Sequence, residues 1–161
     1  MRAALITVSS SRAAGSGSDQ AGPELERVAL ALGLEIAARE VIADERELIE
    51  SHLRRCCDEL ACALVLTSGG TGMAPSDVTP EATSAVVERP APGIAEALRL
   101  ASREHTRHWM LSRGVAGVRG RSLIVNFPGS PASIRECAPA IAGSLPHALA
   151  LLAGGPGDAH L

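Results

Sequence analysis

The chain predicts an α/β fold with a mostly parallel central sheet covered by helices on both faces, and three observations carry that prediction. Uninterrupted apolar runs of strand length recur, among them Ala3 to Val8, Ala63 to Thr67 and Ser122 to Asn126. A run without polar alternation belongs to a strand buried on both sides. Stretches with a 3.6-residue apolar period separate these runs, and strand alternating with helix is the pattern of a parallel sheet. Finally, serine, glycine and aspartate gather where the runs end, and in such sheets ligands sit at the carboxyl ends of the strands.

Taken in order, the first strand, Ala3 to Val8, empties into Ser9-Ser10-Ser11 and a Gly/Ser-rich loop reaching Ser18 and Asp19. Gly22-Pro23 opens a helix with Leu25, Val28, Ala29 and Leu32 on one face, and Gly33 stops it. Leu34 to Val41 is the second strand; Asp44 follows, then a helix from about Glu45 to Leu60 with Leu48, Ile49, Leu53, Cys56, Cys57 and Leu60 on one side. Ala63 to Thr67 is the third strand. Helices are predicted at about Pro80 to Glu88 and Gly93 to Glu104, and a short strand at Met110-Leu111. Ser122 to Asn126 is a further strand, followed by Phe127-Pro128-Gly129-Ser130-Pro131. A helix from about Ser133, broken near Pro139, and another from Pro146 to Leu152 close the fold. Residues 1–153 read as one domain and 154–161 as a short tail.

Composition excludes several function classes. Net charge is −3, which points to no polyanion and no membrane surface. Every basic residue is arginine, so neither a P-loop lysine nor a Schiff-base lysine exists here. No apolar stretch approaches the ~18 residues of a membrane span, and the first run is too short for a signal peptide, so a cytoplasmic protein is expected. Cys56, Cys57, Cys62 and Cys137 form no CxxC pair and read as buried, reduced thiols.

The chemistry concentrates between Leu64 and Ala82. The third strand runs into Thr67-Ser68-Gly69-Gly70-Thr71-Gly72, and a helix restarts at Thr79-Pro80-Glu81, with Thr79 read as a capping hydroxyl. Glycines at this density let backbone N–H groups turn toward an anion such as phosphate. Asp77, between loop and helix, is placed to hold a metal ion beside that anion. Each feature has a structural rival: the glycines as a tight connection, Asp77 as an Asx turn, and Asp44 with Glu47 as a capping box. His105 and His108 read as a solvated helix end, Arg119 as surface charge, and Arg113 as either a phosphate clamp or surface charge.

The stretch TSGGTGMAPSDVTPEAT (67–83), with LSRGVAGVRGRSLIVNFPGSP (111–131) downstream and GSGSDQAGP (15–23) upstream, resembles the molybdenum-cofactor biosynthesis family. That family comprises molybdopterin adenylyltransferases, MogA-like and MoaB-like bacterial proteins and the G domain of plant and animal fusion proteins. The resemblance covers residues 6 to about 152. It implies a three-layer α/β/α sandwich with a mostly parallel central sheet, in a homotrimer or a hexamer. It also implies transfer of AMP from Mg-ATP to the terminal phosphate of molybdopterin, with molybdate inserted afterwards by a MoeA-like insertase. By the same resemblance Asp44 and Asp77 are the catalytic carboxylates and the anchors for Mg²⁺. Gly69, Gly70, Thr71 and Gly72 cradle the ATP phosphates. Ser102, Ser112, Asn126, Pro128, Gly129 and Ser130 hold the pterin and its phosphate.

The chain departs from that pattern at three places. Ser10 stands where the family has aspartate, Ser76 where arginine precedes the DVTP aspartate, and Ala132-Ser133 where a lysine is common. Losing two cations near bound anions weakens binding by about 1–3 kcal/mol if each made a charged hydrogen bond. Two other readings stand beside the transferase: a non-catalytic pterin-binding scaffold, and a nucleotide-pyrophosphate hydrolase on the related fold of competence-damage proteins.

Overall fold

The computed structural model describes residues 1–155. Its elements run β1 (Arg2–Val8), α1 (Ser10–Ala13), α2 (Gly22–Ala31), β2 (Glu35–Ile42), α3 (Arg46–Arg54), β3 (Leu64–Ser68), α4 (Thr79–Val86), β4 (Arg89–Pro90), α5 (Pro92–Ser102), β5 (Ala116–Arg119), β6 (Ser122–Phe127), α6 (Pro131–Cys137), α7 (Pro139–Ala142) and α8 (Leu145–Leu152). One sheet holds all six strands in the order β2-β1-β3-β6-β5-β4. β2, β1, β3 and β6 are parallel; β5 runs antiparallel to β6, and β4 antiparallel to β5.

The sheet has a helical layer on each side, because its inner strands are apolar on both. Ala3 and Leu5 of β1, Leu64 and Leu66 of β3, and Leu123, Val125 and Phe127 of β6 pack against Leu25 of α2, Leu98 of α5, Ile134 of α6 and Leu145 of α8. The alternate residues Ala4, Ile6, Val8, Val65 and Ile124 pack against Ile49 and Leu53 of α3 and Ala82 and Val86 of α4. Each fully buried Leu, Ile or Phe contributes about 1.5–3 kcal/mol, so β1, β3 and β6 form the rigid base on which their carboxyl-end loops stand.

The chain leaves β1 for β2 on one side and returns past β1 to β3 on the other. The strand order therefore reverses between β1 and β3, and a crevice opens at their carboxyl ends. Ser9, Ser68 and Gly69 border it.

Five elements differ from the sequence reading, among them the short α1 where a loop is expected and the two-residue β4 between the helices at about 80–88 and 93–104. The helix expected as far as Leu60 is α-helical only to Arg54 and continues as a π turn, Arg55–Glu59, whose wider spacing leaves the adjacent Cys56 and Cys57 both buried. Met110-Leu111 is not a strand but part of a 3₁₀ turn, Trp109–Leu111, with both side chains exposed. The strand beside β6 is instead Ala116–Arg119, disguised by Gly117, where a Cβ would collide with Val87. Beyond Gly155 the expected tail lies outside the described residues.

The four cysteines are free and buried. Burial pushes the Cys56 thiol up to about 12, and the Cys57 and Cys137 thiols to about 11. None of these three carries appreciable thiolate near neutrality, so a thiol reagent such as DTNB at pH 8 is expected to label the native protein slowly and to titrate all four cysteines only after denaturant is added. Rapid labelling of the native state would show that the packing around these thiols, on one side of the sheet or the other, opens.

Candidate active site

The loop after β3 is shaped by what lies against it. Gly69 has φ +101°, and a Cβ there would overlap the carbonyl oxygen of Val8 at the end of β1. Gly70, at φ +62°, sits on Thr79 and Asp44, with Asp44 Oδ1 only 3.3 Å from where its Cβ would stand. Both positions need glycine for backbone sign and for space. The carbonyl of Gly70 accepts from the Thr79 N–H at 3.1 Å, which ties the loop to the first turn of α4. On the far side, Gly129 lies 3.3 Å, by its Cβ position, from the Cα of Gly69, while the Ser68 hydroxyl donates to the Pro128 carbonyl at 2.8 Å. The loops after β3 and β6 thus meet in one surface.

The two sequence-selected carboxylates flank this loop. Asp44 approaches Gly70 with Oδ1, and its Oδ2 accepts from Ser10. Asp77 Oδ2 lies 2.8 Å from the Cβ position of Gly72 and accepts from the Ala74 N–H at 2.8 Å. Asp44 does not cap α3: the residue before that helix is Glu45, and no side chain caps it; its Oδ2 instead accepts the N–H of Ser10, the first residue of α1. The capping-box reading therefore falls, and strand-end geometry gives the carboxylate another partner. Asp77 closes the 74–77 turn twice, through its side chain and through its own N–H, which donates to the Ala74 carbonyl at 2.9 Å.

Arg113 is neither a free clamp nor idle surface charge. Its guanidinium donates to the carbonyls of Gly72 at 2.7 Å and Asp77 at 2.6 Å and pairs with Glu81, while its backbone N–H donates to the Thr71 carbonyl at 2.8 Å. It staples the whole 71–77 loop. The bond from Arg113 holds the Glu81 carboxyl below its ordinary value of 4.5. This contribution is therefore complete above pH 4.5 and disappears as pH falls through the lowered folded-state value. The gap in thermal midpoint between wild type and Glu81→Gln is expected to close as pH is lowered from about 6 to about 3. A constant gap would assign Glu81 another role. Arg119, read as surface charge, is instead largely covered: it pairs with Asp58 at 2.7 Å and donates to the Val86 carbonyl at 3.2 Å.

Four of the residues assigned to the pterin by resemblance surround one small cavity. Ser102, Ser112, Asn126 and Pro128 line it together with Leu98 and Gly114, and its volume is about 10 Å³. The side chain of Asn126 is engaged internally, donating to Thr67 Oγ1 at 2.9 Å and Thr83 Oγ1 at 3.0 Å and accepting from the Val115 N–H at 3.2 Å. Ser102 donates back along α5 to the Leu98 carbonyl at 3.0 Å. Gly129 and exposed Ser130 lie at the start of α6. A more apolar groove of about 500 Å³ between α2 and α6–α7 gathers none of these groups.

Two residues at the site escape the sequence reading. Ser10 registers there only as a departure, since no spacing rule links it to Asp44, 34 residues away. Thr79 reads as a helix cap, but it is the first residue of α4, completely buried, and its hydroxyl has no hydrogen-bond partner among the described residues. Those described residues also contain no cluster of three or more His, Cys, Asp or Glu arranged to hold a metal. Nor does any described helix have the length and apolarity to cross a membrane.

Residues 4–147 match the family model described as a probable molybdopterin binding domain. The molybdopterin adenylyltransferase of Helicobacter pylori strain 26695 is 48% identical over 115 residues, 71% of this chain and 65% of that protein, so the match spans just under two thirds of the relative's length. The molybdopterin adenylyltransferase of Escherichia coli K12 is 42% identical over 139 residues, 84% of this chain and 71% of its own. The crystal structure of the molybdopterin biosynthesis enzyme MoaB from Thermus thermophilus superposes with a TM-score of 0.89 at 44% identity, covering 98% of this chain and 99% of that one.

Proposed function

Because the chain belongs to the family of probable molybdopterin binding domains, we propose that it works in molybdenum-cofactor biosynthesis as a molybdopterin adenylyltransferase, moving AMP from Mg-ATP to the pterin's terminal phosphate and releasing pyrophosphate. The observation that carries this reading is the pair Asp44 and Asp77, the first against Gly70 and the second against Gly72 of a glycine loop at the reversal of strand order. The names of the relatives support the same activity.

A magnesium ion suits this donor set. Mg²⁺ keeps several of its waters and is commonly held by one or two carboxylates together with substrate phosphates, so two aspartates without a third acidic ligand are sufficient. Asp44 Oδ1 and the Asp77 carboxylate would hold it, and when bound it would supply charge neutralisation between the two anionic substrates. The protein's share is placement. The Gly69–Gly72 loop cradles the nucleotide phosphates with its N–H groups from Gly70 onward, that of Gly69 being donated to the Phe127 carbonyl. Arg113 keeps that loop in shape, and Ser112, Pro128, Gly129 and Ser130 orient the pterin with buried Ser102 and Asn126 behind them. Nucleotidyl transfer depends mainly on such positioning and electrostatics. The proposal extends to residues 1–153 acting as one domain in a homotrimer or hexamer, in the cytoplasm, passing product to a MoeA-like insertase.

The test is direct. Purified protein with Mg-ATP and molybdopterin is expected to give adenylylated molybdopterin by mass spectrometry, with pyrophosphate released in equal amount. Binding of molybdopterin without product would replace the enzyme reading by the scaffold. AMP released from ATP with no pterin present would favour a hydrolase.

A further inference from the structure

Asp44 is gripped by a single neighbour. Ser10 opens α1 immediately past β1, and its backbone N–H and hydroxyl both donate to Asp44 Oδ2, at 2.6 and 2.8 Å. The backbone N–H of Asp44 donates back to Ser10 Oγ at 2.9 Å. These three bonds close a ring between the ends of β1 and β2. A carboxylate with two donors on one oxygen cannot turn freely about its side-chain torsions, so the direction of its second oxygen is fixed as well. That second oxygen, Oδ1, is the one lying at Gly70.

We propose that Ser10 is a positioning residue for Asp44, locking Oδ2 so that Oδ1 alone is presented to a cation and phosphate bound at the Gly69–Gly72 loop. This rests on the reading of Asp44 as a site carboxylate. Ser10 itself touches no substrate in this scheme; it acts through Asp44. The arrangement requires a donor at position 10, and a hydroxyl supplies one where a second ionised carboxylate would only accept.

Ser10→Ala deletes two of the three bonds and leaves the backbone N–H to Oδ2 in place. Ser10 is exposed, so the fold loses little. Two readouts are needed: the Mg²⁺ dependence of adenylyl transfer, and Mn²⁺ binding in the presence of ATP without pterin, followed by electron paramagnetic resonance. Partners that orient a metal ligand are commonly worth about 10–100-fold in metal affinity, so Ser10→Ala is expected to weaken cation affinity about tenfold in both readouts. Saturating Mg²⁺ should restore turnover to within about threefold, the thermal midpoint should stay within about 2 °C, and Ser10→Thr, which retains the hydroxyl, should recover the affinity. Unchanged Mn²⁺ and Mg²⁺ affinity in Ser10→Ala would overturn the proposal, as would a Ser10→Thr protein that is folded but no better than the alanine variant. If wild type turns nothing over yet Ser10→Ala still weakens Mn²⁺ binding, the transferase reading fails and the positioning role stands. If turnover is normal and cation binding ignores Ser10, the reverse holds.

Discussion

Asp77→Asn is expected to lower adenylyl transfer by roughly 10²–10³-fold while leaving the thermal midpoint within about 2 °C of wild type. The two effects separate because the carboxylate has two tasks. Its structural task is to accept from the Ala74 N–H at 2.8 Å and close the 74–77 turn. An asparagine carbonyl oxygen does that equally well, with its amide turned outward. The loop is also held independently by Arg113, through the carbonyls of Gly72 and Asp77, which the substitution does not alter. Its proposed chemical task needs negative charge, and a neutral amide supplies none. Activity should therefore fall without unfolding, measured by pterin product formation alongside a melting curve. Retained activity would remove Asp77 from the reaction. A midpoint that falls in step with activity would assign the carboxylate to the turn alone.

Gly69→Ala is expected to act on the fold itself, costing about 2–5 kcal/mol, or a fall in thermal midpoint on the order of 10 °C. Two terms add. At φ +101° an alanine is strained whatever surrounds it. Its Cβ would also meet the Val8 carbonyl oxygen, which is backbone at the end of a buried strand and cannot swing aside as a side chain would. Either β1 or the loop must shift, and the loop also touches Gly129 across the crevice. Gly143→Ala makes the control, since its φ is −70° and nothing lies near its Cβ position. It should stay within about 0.5 kcal/mol of wild type. Equal effects at the two positions would mean that the Gly69 loop is not pressed against β1. For the site, the consequence is that the loop's shape is imposed by the neighbouring strand as well as by its own glycines.

How much of this is legible in the chain depends on whether a feature is local. β1, β3 and β6 are legible because a strand buried on both faces carries its evidence in consecutive residues. The glycine loop and the Thr79-Pro80 helix start are equally visible, as is Asp77 between them. β5 is not, because Gly117 is present for the closeness of Val87, a residue distant in the sequence. The Trp109–Leu111 turn passes for a strand because exposed apolar residues look like buried ones when only the sequence is read.

Contiguous residues are enough to specify the class of fold, the strand-end placement of the polar loops and the two aspartates proposed for the site, since periodicity, turn chemistry and a family motif are all local properties. What those residues touch emerges only from the folded chain. Folding pairs Asp44 with Ser10 at the start of α1 and not with the start of α3, makes Arg113 the staple of the loop, buries the Thr79 hydroxyl beneath Gly70, and draws Ser102, Ser112, Asn126 and Pro128 around one cavity. The physical reason is that parallel strands are joined by long crossovers, so residues at neighbouring strand ends lie tens of positions apart in the chain and no local pattern links them.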